Sequence, residues 1–207
     1  MSTLKVTQKL RNVTRGLLQR YGGFRVERWL WNREFSSGRW DYIERTPGDP
    51  VYPYLEKYAS CGNILDLGCG AGNTANEIDS EAYAEYIGVD VSDVAVAKAR
   101  ARSEMNGRGG KNSFYCADIA TFVPPHRFDV ILFRESLYYV PKQRIMEVLA
   151  QYSMYLREGG CLIVRLWTTR GRCGPVLHII ETAFAVVEKY VTESGSVVIV
   201  FRDRRSS

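Results

Sequence analysis

Asn63-Ile64-Leu65-Asp66-Leu67-Gly68-Cys69-Gly70-Ala71-Gly72 is the stretch that decides how this chain folds. A short, largely apolar run breaks into three glycines at alternate positions. A run too short for a helix and bounded by glycine reads as a buried strand entering a tight turn. Missing side chains there let backbone N–H groups, and the N-terminus of the polar helix expected through Asn76-Glu77-Ile78, approach a ligand.

Towards the C-terminus, strands and helices alternate. Tyr86–Val91 reads as a second strand, with Ser92 and Asp93 as N-cap residues for a helix over Val94–Glu104 that stops at Asn106-Gly107. Ser113–Ala117 is a third strand, followed by a loop at Pro124-Pro125. Phe128–Phe133 is a fourth, nearly all apolar as strands covered on both faces are. Lys142–Tyr155 has helical periodicity and is expected to close at Gly159-Gly160, before a fifth strand at Cys161–Trp167. Phe184–Thr192 and Ser196–Phe201 flank a turn and read as a hairpin. The expected fold is α/β: a doubly wound, mostly parallel, seven-stranded sheet with an antiparallel C-terminal edge hairpin.

The N-terminal side differs in character. Residues 1–40 hold nine Lys/Arg against Glu27 and Glu34, while the whole chain of 207 residues carries a net charge of +5. Leu10, Val13, Leu17, Tyr21 and Phe24 form an apolar stripe at helical spacing, Gly22-Gly23 breaks it, and Phe24–Phe35 follows with Trp29 and Trp31. Residues 1–50 are therefore expected to be a basic helical lid or appendage and residues 51–207 the principal domain. The five cysteines are odd in number and form no C-x-x-C pair, which points to reduced thiols in a cytoplasmic protein. No apolar run is long enough to span a bilayer.

In a doubly wound sheet, ligands bind beyond the carboxyl ends of the strands near the topological switch point. The residues there are the three glycines, then Asp90, Asp118 and Arg134-Glu135-Ser136 after the second, third and fourth strands. Asp90 is suited to accept hydrogen bonds from both hydroxyls of a ribose. A dinucleotide loop, G-x-G-x-x-G, needs a final glycine for close helix–strand packing, and Asn73 stands there instead. Asp66–Gly72 resembles, at every position, the first motif D/E-x-G-x-G-x-G of the class I S-adenosylmethionine-dependent methyltransferases. The resemblance extends in the family's order over roughly residues 52–203. It implies S-adenosylmethionine as cofactor and S-adenosylhomocysteine as product. It further implies cofactor contacts from Asp66, Gly68, Cys69, Gly70, Gly72, Asp90, Val91, Asp118, Ile119 and Arg134, with Asp90 on the ribose and Asp118-Ile119 on the adenine. Cys69 is then a small spacer rather than a redox group.

A sulfonium carries its own activation, so such a protein mainly excludes water and aligns the nucleophile. An alcohol also needs a base, whereas a neutral amine offers a lone pair. The catalytic candidates are Glu135, as a base or amine-holding group, His178 on a helix at Val176–Phe184, and Tyr138, which with Tyr139 could wall a cationic or planar group. Core packing for the tyrosines and a helix surface for His178 are the competing readings. His126, beside Pro125, falls in a loop away from the ligand edge. Arg134 beside a lone Glu135 argues against a metal. The segment Glu135–Tyr139 is similar to one in sugar and nodulation-factor N-methyltransferases. The expected activity is methyl transfer to an O or N nucleophile of a small molecule or glycan. The alternatives are an RNA or protein methyltransferase using the basic N-terminal region, or a noncatalytic S-adenosylmethionine-binding protein. Residues 1–35 could contact a membrane surface peripherally. Nucleic acid is not expected as a partner, and the N-terminal stripe could pair two copies in a homodimer.

Overall fold

Odd and even positions of the central strands feed two different cores, which is why their sequences are apolar almost throughout. The computed structural model describes residues 23–38, 46–168 and 173–204. In strand β1 (Asn63–Leu67), Leu65 and Leu67 join one buried cluster and Ile64 the other. Strands β4 (Phe128–Arg134) and β5 (Leu156–Trp167) divide in the same way: Ile131, Phe133, Leu162 and Val164 on one side, Val130, Leu132, Cys161 and Ile163 on the other. The first face is covered by helices α5 (Ile145–Ser153) and α6 (Cys173–Ala183) through Val148, Leu149, Tyr152, Val176 and Ile180. The second is covered by α2 (Tyr52–Ala59) and α4 (Asp93–Met105) through Leu55, Ala59, Val96 and Ala99.

With β2 (Glu85–Asp90), β3 (Asn112–Cys116), β6 (Ala185–Val191) and β7 (Ser196–Arg202), the sheet has seven strands in the order β3-β2-β1-β4-β5-β7-β6. β1 to β5 are parallel. The order reverses between β1 and β4, so a crevice opens beyond their carboxyl ends. β7 runs antiparallel to both neighbours and lies between β5 and β6, so the antiparallel strand of the hairpin is one place in from the edge. Ser92 caps α4 as its sequence suggests, its hydroxyl accepting from the Ala95 N–H at 3.1 Å.

Two local readings change. Gly159-Gly160 does not end α5, whose cap is Met154; the pair lies inside β5. There β5 shifts its register on β4 from Leu156↔Phe128 to Cys161↔Val130. A Cβ on Gly160 would meet the Asp129 and Phe128 carbonyl oxygens at 3.0 and 3.1 Å, so glycine permits the close backbone approach. Second, α2 has no counterpart in the sequence reading. The helix α1 (Gly23–Ser36) matches the Phe24–Phe35 stretch, while the stripe Leu10–Tyr21 lies outside the described residues. Among the described residues no helix is long and apolar enough to cross a membrane.

Candidate functional site

The glycine loop joins β1 to α3 (Asn73–Glu77), and Gly68, Gly70 and Gly72 all take positive φ, at 89°, 54° and 75°. Their surroundings differ. A Cβ on Gly68 would collide with Ser136 Cβ at 2.3 Å, and one on Gly72 with Ala99 Cβ at 2.8 Å. At Gly70 the nearest atom is the ring edge of Phe35 at 3.6 Å. Gly68 and Gly72 thus let neighbouring segments close in, whereas Gly70 opens into a cleft of about 480 Å³ beyond the sheet.

Two buried carboxylates support this loop. Asp66 lies beneath it, with one oxygen accepting from the Tyr86 hydroxyl and Oδ1 buried without a hydrogen-bond partner. Burial pushes Asp66 up to about 7, against the opposing hydrogen bond from Tyr86. Asp90 ends β2 on the cleft wall. Its Oδ2 accepts from the Gly70 N–H and its Oδ1 from the Ser92 N–H, both at 2.9 Å. Burial outweighs these donors and pushes Asp90 up to about 6. Each Asp90 oxygen keeps lone pairs for further donors. Asp118 and Ile119 line the cleft after β3, with Asp118 Oδ1 accepting from the Ala120 N–H at 2.8 Å. Cys69 is buried, and burial pushes its thiol up, which keeps it in the unreactive form.

Beyond β4 and β5 the cleft floor is charged. Arg134 and Arg165 are register partners on these strands, and both reach Asp49, at 2.7 and 3.4 Å. Arg134 also donates to the Thr46 hydroxyl at 2.8 Å. Arg165 donates to Glu135 Oε1 at 2.6 Å, while the Tyr138 hydroxyl donates to Glu135 Oε2 at 2.7 Å. Both Glu135 oxygens are therefore engaged. Its backbone sits at φ 56°, in the left-handed region, at a cost of about 1–2 kcal/mol for a residue with a Cβ. The ion pair with Arg165 and the hydrogen bond from Tyr138 hold it there.

Helix α1 roofs the cleft. Glu27, Trp31 and Phe35 recur every four residues and share the cleft-facing side. Trp31 packs edge-on against Tyr139, with ring centroids 4.9 Å apart. Arg28 and Asn32 fasten α1 to the start of α4: Arg28 Nη2 pairs with Asp93 at 2.8 Å, Asn32 donates to Asp93, and the Ser92 hydroxyl donates to Asn32 Oδ1 at 2.7 Å. Burial, then the nearby Asp118 charge, pushes Glu27 up to about 7.

Of the residues singled out in the sequence, Gly68, Cys69, Gly70, Asp90, Val91, Asp118, Ile119, Arg134, Glu135 and Tyr138 line this one cleft. Asp66 and Gly72 lie below its wall. His178 stands exposed on α6 and is not part of the lining, because its turn of helix faces away from Val176 and Ile180, which pack on the sheet. His126 pairs with Glu85 at the opening of β2, the far end of the strand from Asp90. Glu27, Asp49 and Arg165 were not anticipated. The spacing Glu27-Trp31-Phe35 was the available signal for the first. S-adenosylmethionine fits the residues present: Gly70 leaves room and Asp90 offers acceptors. Among the described residues, no group of three or more His, Cys, Asp or Glu is disposed to hold a metal ion.

Comparison with known proteins agrees with this geometry. Residues 64–160 match the family described as a methyltransferase domain. The chain is 32% identical over 123 residues to the trans-aconitate 2-methyltransferase of Streptomyces avermitilis, a match covering 59% of this chain and 42% of that protein. It is 28% identical over 109 residues to the mRNA cap guanine-N(7) methyltransferase of Schizosaccharomyces pombe, covering 48% of this chain and 30% of that protein. The chain thus spans less than half the length of these relatives. In fold it is similar to the N-methyltransferase NodS of Bradyrhizobium japonicum, solved with S-adenosyl-L-homocysteine. The TM-score is 0.67 at 21% identity, over 86% of this chain and 98% of that one.

Proposed function

We propose that this chain, whose residues 64–160 match a methyltransferase-domain family, is a class I S-adenosylmethionine-dependent methyltransferase that transfers a methyl group to a nitrogen or oxygen nucleophile of a small molecule or glycan. The observation that carries this reading is the division of a single roofed cleft into two halves. One half holds the glycine loop, Asp90 and Asp118. The other holds Glu135, Tyr138, Tyr139 and Trp167 beyond β4 and β5. A cleft of about 480 Å³ lies within the usual range of small-molecule sites.

In the first half, Gly70 leaves room beside the loop, Asp90 would accept from the ribose hydroxyls, and Asp118 with Ile119 would meet the adenine. The sulfonium of bound S-adenosylmethionine supplies the activated methyl group. Trp31, Phe35 and Tyr139 exclude water over the meeting point of the halves, and alignment is the main remaining requirement. Glu135, fixed by Arg165 and Tyr138, orients an acceptor through its unshared lone pairs. An alcohol must also give up a proton, and Glu135 has both oxygens engaged while His178 lies outside the cleft. The arrangement therefore favours a neutral amine.

Isothermal titration with S-adenosylhomocysteine, followed by mass-spectrometric detection of methyl transfer to amines, sugars, phenols and capped RNA, tests this. Cofactor binding and methylation of an amine or sugar are expected. No cofactor binding, or methylation confined to capped RNA, overturns it.

A further inference from the structure

We infer that Glu27, on the roof helix, recognises the adenine of the cofactor. It accepts one N–H of the exocyclic amine and donates to the neighbouring ring nitrogen. This rests on the methyltransferase reading above and adds to it a contact from outside the family-matched segment.

The position follows from how α1 is held. Phe35 stands over Gly70, Trp31 against Tyr139, and Glu27 is the remaining residue of that face to line the cleft. It senses the charge of Asp118, which with Ile119 forms the wall where the adenine is expected. The contacts of Arg28 and Asn32 with Asp93 and Ser92 fix the helix against sliding, so Glu27 keeps this place.

The chemistry follows from the neighbours. Asp118, in the same cleft lining, is close enough for its charge to act on Glu27; next along α1 comes the Arg28–Asp93 pair and, near Arg28, Cys116. Arg28 is committed to Asp93, and no hydrogen-bond donor or cation is paired with Glu27 among the described residues. A half-buried carboxyl facing another carboxylate retains its proton near neutral pH. Protonated, it presents an acceptor C=O beside a donor O–H, the same pair by which Asn and Gln grip adenine at N6 and N7. Asp118 Oδ2 remains for the second N–H of the amine, since Ala120 occupies Oδ1.

The test is isothermal titration of the full chain with S-adenosylhomocysteine and with S-inosylhomocysteine, in which oxygen replaces the exocyclic amine. Glu27→Ala is expected to weaken S-adenosylhomocysteine binding roughly ten- to a hundredfold, the loss of two hydrogen bonds, and to weaken the inosine analogue, which lacks the amine contact from the start, by roughly the square root of that factor. Glu27→Gln, which keeps donor and acceptor, should bind within about threefold of wild type. Because the protonated form binds, wild-type affinity should fall more steeply than that of Glu27→Gln as pH rises through 7. Melting curves establish that both variants fold. No loss in Glu27→Ala, or an equal loss for both analogues, overturns the assignment. Failure of the wild type to bind either analogue overturns the methyltransferase reading itself, a result distinct from any difference among variants.

Discussion

Gly70 and Gly72 stand two residues apart, both at positive φ, yet are glycine for different reasons. A side chain at 72 would strike Ala99 on α4, and overpacking of this kind costs about 1–3 kcal/mol. A side chain at 70 would enter the cleft. Gly70→Val is therefore expected to abolish S-adenosylhomocysteine binding with a modest loss of thermal stability, and Gly72→Val to lose mainly stability. Calorimetric titration and melting curves of the two variants check this, and the reverse pattern would show the loop misread. At this scale the sequence was informative wherever a residue lies at or just past the carboxyl end of a strand, as Asp90 and Asp118 do. It was silent where a contact depends on how separate segments dock. Asp49 meets Arg134 and Arg165 across more than eighty positions of chain, and Glu27 is hidden among arginines. The left-handed backbone of Glu135 has no sequence signal, because glutamate is not a residue that favours it.

Among the elements, α1 is attached to α4 largely by polar contacts. Asp93 gathers Arg28 and Asn32, and these two hold its carboxyl near 2, so the fastening is charged across the physiological range. Both ionic partners are well exposed, and such pairs contribute about 0.2–1 kcal/mol. Asp93→Ala is thus expected to change the melting temperature little and to speed dissociation of S-adenosylhomocysteine severalfold, as stopped-flow displacement would reveal. An unchanged rate would mean that α1 is not held by this contact. The strands were legible from their apolar runs and α4 from its Ser92 cap. The helix α2 was not, because Tyr52-Pro53-Tyr54 at its start looks like loop chemistry although proline suits a first helical turn. Gly159-Gly160 misled in the opposite sense, since glycine marks a close backbone approach in a strand as readily as a helix end.

For the molecule as a whole, acidity is the informative variable. Asp66 and Asp90 are pushed up to about 7 and about 6, while in an unfolded chain both titrate near 4. Between those values the folded state binds more protons than the unfolded one, so stability falls as pH rises. The contribution is fully present below pH 4 and is lost as pH passes through 6 to 7. Asp93, lowered to about 2, acts in the opposite direction and below pH 4. The melting temperature is expected to drop by several degrees between pH 5 and pH 8, each pKa unit being worth about 1.4 kcal/mol. Asp66→Asn, which can still accept from Tyr86, should flatten part of that slope, Asp90 and the raised Glu27 supplying the rest; an unaltered slope would place its origin elsewhere. The alternation of two buried faces made the architecture readable, because register is enforced by burial on both sides. Roof and floor of the cleft, however, respond to the surrounding solution differently. Arg28–Asp93 faces solvent, within reach of dissolved ions, whereas Asp49 between Arg134 and Arg165 is almost wholly enclosed. Rising ionic strength therefore loosens the cover and leaves the floor intact. Salt concentration thereby becomes a control on how readily the cleft exchanges its contents, separate from what it selects.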